Sequence, residues 1–321
     1  FYMAKTRTSF PGHIMKTGVT IGIIGYNDVE NFSLCLDALK NLNINNLAVE
    51  FIYVDDHSTD ASAEKFQRCL LPGPKRLIQN AQKEGRSYNR NKILQSAQFD
   101  WILFLNSNIV IQTNNFLLHL INDLHKVKNP IAVMSKLTYA CEEPPFETYL
   151  NNKYRGINKY QHLQNINFNH LLFSGCLINR AFFVKHRLFF PEKFQGYGGE
   201  ELVVACQLNS IQKNSIFVNQ RAVCTRINHP DLYSHYLKLF NFGNTNFLLL
   251  PKNLQKQIVK KESLLLNTRL NVLAAKIGGM MLLTVYKFLI FCFPGFLSRV
   301  TIKTIYLLAI LNGLYANQKT K

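Results

Sequence analysis

The first half of the chain has a regular beat of apolar runs, each followed by a polar cluster and then a longer amphipathic stretch. Residues 19–25 (VTIGIIG) are rich in β-branched residues and bounded by Gly and Asn, the pattern of a buried strand. Residues 29–42 carry Phe32, Leu34, Leu36, Leu39 and Leu42, which predicts a helix. The strand signal returns at 49–54 (VEFIYV), 76–79 (RLIQ) and 101–105 (WILFL), and the helical one at about 60–70 and 86–98. Strands alternating with helices predict a parallel sheet covered on both faces. Ligands of such sheets bind beyond the carboxyl ends of the strands. Asp55, Asp56, Asn106 and Asn108 all fall at those ends.

The beat is lost after about residue 135. Residues 136–250 are polar and aromatic around 139–170, apolar at 171–173, and run through Gly196-Tyr197-Gly198-Gly199-Glu200-Glu201 into a helix expected at 201–209. A strand-like stretch, SIFVNQRAVCTRI, precedes His229. Residues 251–321 differ again: eleven Lys or Arg against one acid, Glu262. Within them, 277–297 and 300–315 are almost wholly apolar. The first reaches the ~20 residues of a spanning helix only by running through Pro294-Gly295, and the second is short. Two helices lying on or dipping into one leaflet are therefore expected, with Lys276, Arg299, Lys303, Lys319 and Lys321 at the headgroups. A bundle packed on the core is the plainer reading. The organisation expected is a basic tail at 1–18 without the apolar core of a signal peptide, two halves at 19–135 and 136–250 sharing one unit, and a C-terminal helical segment at 251–321.

Charge changes this picture little. Lys and Arg number 37 against 19 acids, a net +18, yet Asn outnumbers Asp and Glu together, so the imbalance reflects scarce acids as much as abundant bases. No nucleic-acid-binding pattern accompanies it. An anionic membrane surface or a phosphorylated substrate suits such a field. The seven cysteines include no CxxC pair and are expected to be reduced, mostly buried thiols of a cytosolic protein.

Three clusters can carry chemistry. Adjacent carboxylates at Asp55-Asp56 need donors, which a uracil N3–H and ribose hydroxyls would supply. A turn with Ser58, Thr59 and Asp60 capping a helix explains them equally well. Gly85, Arg86, Asn89 and Arg90 enter a helix, and a helix start with Arg nearby suits a diphosphate, although a solvated basic first turn is the commoner arrangement. Gly22 and Gly25 lack the GxGxxG order of a dinucleotide-binding turn.

The ordered set VTIGIIGYND, FIYVDDHSTDAS, N-x4-GRSYNRNKILQSAQFDWILFLNSNI, FSGCLINRAFF, FPEKFQGYGGEEL and NHPDLYSHYLK resembles the family 2 glycosyltransferases of GT-A fold, over about 19–240. The resemblance implies an α/β, Rossmann-like, mostly parallel sheet flanked by helices. It implies that Tyr26, Asp55 and Asp56 hold the nucleotide base and ribose, with Arg86 and Arg90 near the diphosphate. Asn106 and Asn108 stand where the family has Asp-x-Asp, Asn106 on the nucleotide side and Asn108 on the metal side. Glu200 and Glu201 match a Glu-Asp pair whose second member is usually the base, so Glu201 is the expected base and Glu200 the alternative. His229 lies where related enzymes have a metal- or phosphate-binding His, although a lone His is more often structural.

Two departures matter. Asn106-Ser107-Asn108 offers amide dipoles where Mn²⁺ or Mg²⁺ prefers anionic oxygen, so metal affinity should fall and Arg86, Arg90 or another base would neutralise the diphosphate. Glu201 adds a methylene to the expected Asp. The activity implied is inverting transfer of a sugar from a nucleotide-sugar, UDP-linked by expectation, to a glycan or lipid-linked glycan in surface polysaccharide synthesis. It would take place peripherally at the cytoplasmic face of the cell membrane. The alternative is a catalytically weak homologue that binds nucleotide-sugar or glycan, or acts as a scaffold.

Overall fold

The structure, a computed structural model, describes residues 17–153, 159–262 and 296–319. The expected beat is present: β1 (Thr17–Gly25), α1 (Val29–Lys40), β2 (Leu47–Asp55), α2 (Ser62–Arg68), β3 (Lys75–Gln79), α3 (Arg86–Ser96) and β4 (Trp101–Asn106). These strands read as continuous apolar runs because both faces are covered: Val19, Ile21, Ile23, Phe51, Ile52, Tyr53, Val54, Ile102 and Leu103 are all buried. Then follow β5 (Ile109–Ile111), α4 (Phe116–Asp123), β6 (Ala132–Cys141), α5 (Pro144–Lys153), β7 (Cys176–Asn179), α6 (Arg180–Lys185), α7 (Glu200–Ile211) and β8 (Ile216–His229).

All eight strands form one sheet in the order β3-β2-β1-β4-β7-β6-β8-β5. The sheet is mixed rather than mostly parallel. β1–β2, β1–β4, β2–β3 and β6–β8 are parallel, whereas β4–β7, β6–β7 and β5–β8 are antiparallel. The reversal occurs at β7, four residues, three of them buried, inserted between β4 and β6, and a run that short carries no direction in its pattern.

Register builds the working edge. Gly25 pairs with Asp55 and Ile24 with Asn106, so the residues that follow β1, β2 and β4 emerge side by side. Asp56 N–H donates to Gly25 O (3.0 Å) and Ser107 N–H to Ile24 O (2.9 Å), extending the ladder by one step.

Beyond the sheet come α8 (Leu232–Asn244), α9 (Asn246–Leu249), α10 (Lys252–Glu262) and α11 (Phe296–Lys319). The stretch 300–315, expected on a membrane surface, packs on the body of the protein instead: Ile302, Ile305 and Ala309 of α11 join the main core. α11 lies against α8 at backbone contact. A Cβ on Gly243 would stand 2.2 Å from Ile310 O, and one on Gly313 2.0 Å from Phe240 O, so only glycine permits this crossing. Most of the apolar run 277–297 lies outside the described residues. Among the described residues no helix is long and apolar enough to cross a membrane.

Candidate active site

A cavity of about 350 Å³ opens at the strand ends. It is walled by Gly25 and Tyr26 after β1, Asp28, Asp56 after β2, Arg86 and Asn89 of α3, Asn106, Ser107 and Asn108 after β4, and Lys238 of α8. Tyr26 is partly exposed, with the Lys83 ammonium 3.8 Å from its ring centre. The loops after β1 and β2 are tied together: Asn27 N–H donates to Ser58 Oγ (2.9 Å), and Thr59 N–H to Asn27 Oδ1 (2.7 Å). His57 sits in this turn with a positive φ of 68°.

The two carboxylates find their donors inside the protein. Asp55 is buried and accepts from Tyr53 Oη (3.1 Å) and Ser58 N–H (3.2 Å). Asp56 accepts from Asn80 Nδ2 (3.0 Å), Glu84 N–H (2.8 Å) and Gly85 N–H (3.0 Å). Asp56 thus fastens the loop that leads into α3, and it faces the cavity, while Asp55 lies behind it. Asp60, expected to cap α2, also accepts from Val29 N–H (2.9 Å) at the start of α1.

Arg86 and Arg90 share α3 but not a role. Arg86, at the cavity wall, donates to Gly196 O (3.0 Å) and pairs with Glu200 (3.2 Å). Burial opposes its charge, but Glu200 and Glu201 outweigh that and raise its pKa. Arg90 does not reach the cavity, contrary to the expectation that it lies near a diphosphate. Its side chain is 1% exposed, and its two amino groups meet Glu201 (2.6 Å) and Glu200 (3.5 Å) at the start of α7. The reason lies in partners from across the fold: the two glutamates at the start of α7 hold the guanidinium, and the Phe190 ring centre lies 5.2 Å from it.

Successive side chains within a helix do not face each other, yet Glu200 and Glu201 act on the same partner. In the first turn of α7 both converge on Arg90 and both line a second cavity of about 230 Å³. Arg86 is common to the two cavities. Glu201 is the more accessible acid, with 15% of its side chain exposed against 4% for Glu200. The second cavity also holds Arg226 and a largely apolar wall that includes Leu202, Phe242, Ile258 and Ile310.

His229 is not part of the Asn108 cavity wall. It is buried in an aromatic cluster, its ring 5.1 Å from Tyr139 and 5.8 Å from Phe146, with Nδ1 2.9 Å from Pro230 O. Burial and the charge of Arg226 push its pKa down to about 4. Asn89, expected in the polar loop that enters a helix, does reach the cavity, whereas Asp28 and Lys238 were not singled out from the sequence. Lys238 closes the stretch NHPDLYSHYLK, so a signal was present in its position after the His segment.

The Glycosyl transferase family 2 model matches residues 20–187, just over half of the chain. The chain belongs to glycosyltransferase family 2.

Among curated relatives, this family 2 glycosyltransferase is 26% identical over 174 residues to the SPbeta prophage-derived glycosyltransferase SunS of Bacillus subtilis. That match takes in 50% of this chain and 38% of SunS, so the chain spans well under half of the relative's length. Two solved structures share its fold. The mannosyltransferase PcManGT of Pyrobaculum calidifontis, in complex with GDP-Man and Mn²⁺, has a TM-score of 0.61 at 15% identity, with 94% of this chain and 87% of that one covered. S. aureus TarS, in complex with UDP, has a TM-score of 0.54 at 15% identity, with 95% and 91% covered. The fold is thus GT-A-like.

A divalent cation is plausible for a GT-A fold, so its fit here rests on the donor set. The family's two aspartates are replaced by Asn106 and Asn108. The cavity's two acids are already engaged, Asp56 by the 80–85 loop and Asp28 by Asn31 (2.5 Å) and Ser107 (2.6 Å). Among the described residues no three His, Cys, Asp or Glu side chains gather around a common point. Neutral amides and engaged carboxylates do not fit a hard divalent cation well.

Proposed function

We propose that this chain transfers a sugar from a nucleotide-sugar, UDP-linked, to a hydroxyl of a glycan or lipid-linked glycan, with inversion, in surface polysaccharide synthesis. The observation that carries the reading is that the strand-end cavity and the Glu200–Glu201 cavity share Arg86 as a wall. A donor in the first and an acceptor in the second would meet there. Tyr26 and Asp56 would face the nucleoside, and Arg86 the diphosphate. Glu201, held by Arg90 and the more exposed of the pair, would take the acceptor proton. The acceptor oxygen would then bond to the anomeric carbon as the carbon–diphosphate bond breaks, and single displacement inverts the centre. The apolar wall of the second cavity suits an acceptor with a lipid or other hydrophobic part. Attachment at the inner face of the cell membrane rests on the apolar residues 277–295 and the basic excess around them.

A panel of nucleotide-sugars tests the reading, with hydrolysis and transfer measured for wild type and Glu201→Gln. Glu201→Gln should lower turnover by about 10²–10⁴ while leaving UDP affinity nearly unchanged. A wild type that binds UDP yet neither hydrolyses nor transfers any donor would instead mark a binding or scaffold protein. Full activity of Glu201→Gln beside a dead Glu200→Gln would move the base by one residue.

A further inference from the structure

The charges of the strand-end cavity do not balance. Its carboxylates are engaged, its Asn106 and Asn108 amides are neutral, and Arg86 already has Glu200 as a partner. Lys238 differs from all of these. It lines the same cavity as Asn106 and Asn108, and among the described residues it makes no ion pair or hydrogen bond. Two cations act on it, Arg86 from α3 and Arg226 from β8. Partial burial and those two positive charges lower the Lys238 pKa. Asp28 and Asp56 line the same cavity but are engaged by their own donors, so Lys238 is a cation without a counter-ion, and a bound anion would complete it.

We infer that Lys238 binds the diphosphate of the donor and offsets the charge that develops on it as the sugar leaves, taking the part that a metal held by Asp-x-Asp would play. The inference rests on the reading of this cavity as the nucleotide-sugar site. Three features make the assignment specific. The Asn pair offers no anionic metal ligand, Lys238 adds a compact charge to the same cavity, and Arg86 adds a second cation to its lining. An ammonium is a point charge that suits phosphate without demanding a fixed geometry.

The test is calorimetric and does not depend on finding the acceptor. UDP, GDP, uridine and guanosine are titrated into the full chain, with EDTA and with Mn²⁺, for wild type, Lys238→Ala and Lys238→Arg. The expected result is nucleoside diphosphate binding by wild type that EDTA leaves unchanged. Lys238→Ala should weaken it by about tenfold or more, while the matching nucleoside binds as before, and Lys238→Arg should recover most of the loss. Equal loss of nucleoside and nucleoside diphosphate in Lys238→Ala would make the residue structural and overturn the inference. So would binding that EDTA abolishes and Lys238→Ala does not affect. If wild type binds neither UDP nor GDP, the cavity is not a nucleotide site, and both readings fall together.

Discussion

Arg90 and Glu201 meet at 2.6 Å across 111 positions of sequence, in a pair that also takes in Glu200. This contact joins the helix that follows the donor loop to the helix that carries the proposed base. Both acids are held by one buried guanidinium, so removing it takes the 2.6 Å cation from Glu201 and leaves Glu200 with Arg86.

Arg90→Met should therefore destabilise the protein by roughly 3–5 kcal/mol, the cost of breaking a buried pair from one side. Urea denaturation checks this. Transfer should fall more than UDP affinity, because Glu201 loses its support while the cavity keeps Arg86. Unchanged stability would mean that the pair is not closed in solution.

Asp56→Ala removes the acceptor of three donors in the 80–85 loop. These donors are part-buried, so each loses about 0.5–1.5 kcal/mol, and the melting temperature should drop as well as UDP affinity. Tyr26→Ala, at an exposed position, should lower affinity alone. Thermal melts beside UDP titrations separate the two effects.

His229 gives a pH dependence with a definite sign. Its folded pKa of about 4 lies below the ordinary 6.5, so between those values the unfolded chain takes up a proton that the folded chain refuses. The contribution is whole above pH 6.5 and is lost as pH falls toward 4, up to roughly 3 kcal/mol. His229→Phe should flatten that part of the curve. Denaturant titrations of both proteins at pH 7 and pH 5 check it.

Gly313→Ala should cost about 1–3 kcal/mol or more, since its Cβ meets the Phe240 carbonyl of α8 and neither backbone can yield cheaply. Phe240 lies two residues from Lys238, so nucleoside diphosphate affinity should fall with stability although the substitution is far from the cavity. An unchanged melt would mean that α8 and α11 are not in backbone contact.

The legible part of this molecule was its parallel half. Runs such as VTIGIIG and WILFL are apolar on both faces, so they declare themselves as strands, and the polar residues after them mark the site edge. β6 and β7 were not legible as strands because their pairing depends on partners far along the chain, and a four-residue run fits several arrangements. Arg90 illustrates the same limit within the site. Its i, i+4 spacing from Arg86 suggests a shared face, but what each side chain meets depends on α7, more than a hundred residues away. The apolar stretch 300–315 was ambiguous for another reason: a leaflet and a neighbouring helix present similar surfaces to an apolar face.

The second cavity has an unusual roof. Ile258 of α10 and Ile310 of α11 both wall it, and in sequence these two helices bracket the apolar residues 277–295. Should that segment grip a lipid surface, the pull would be transmitted to both sides of the same roof. The acceptor chamber and the membrane anchor would then behave as one mechanical part, like a clasp sewn to the fabric it fastens. Anchorage would then tune which acceptors enter, since two walls of that cavity come from these helices.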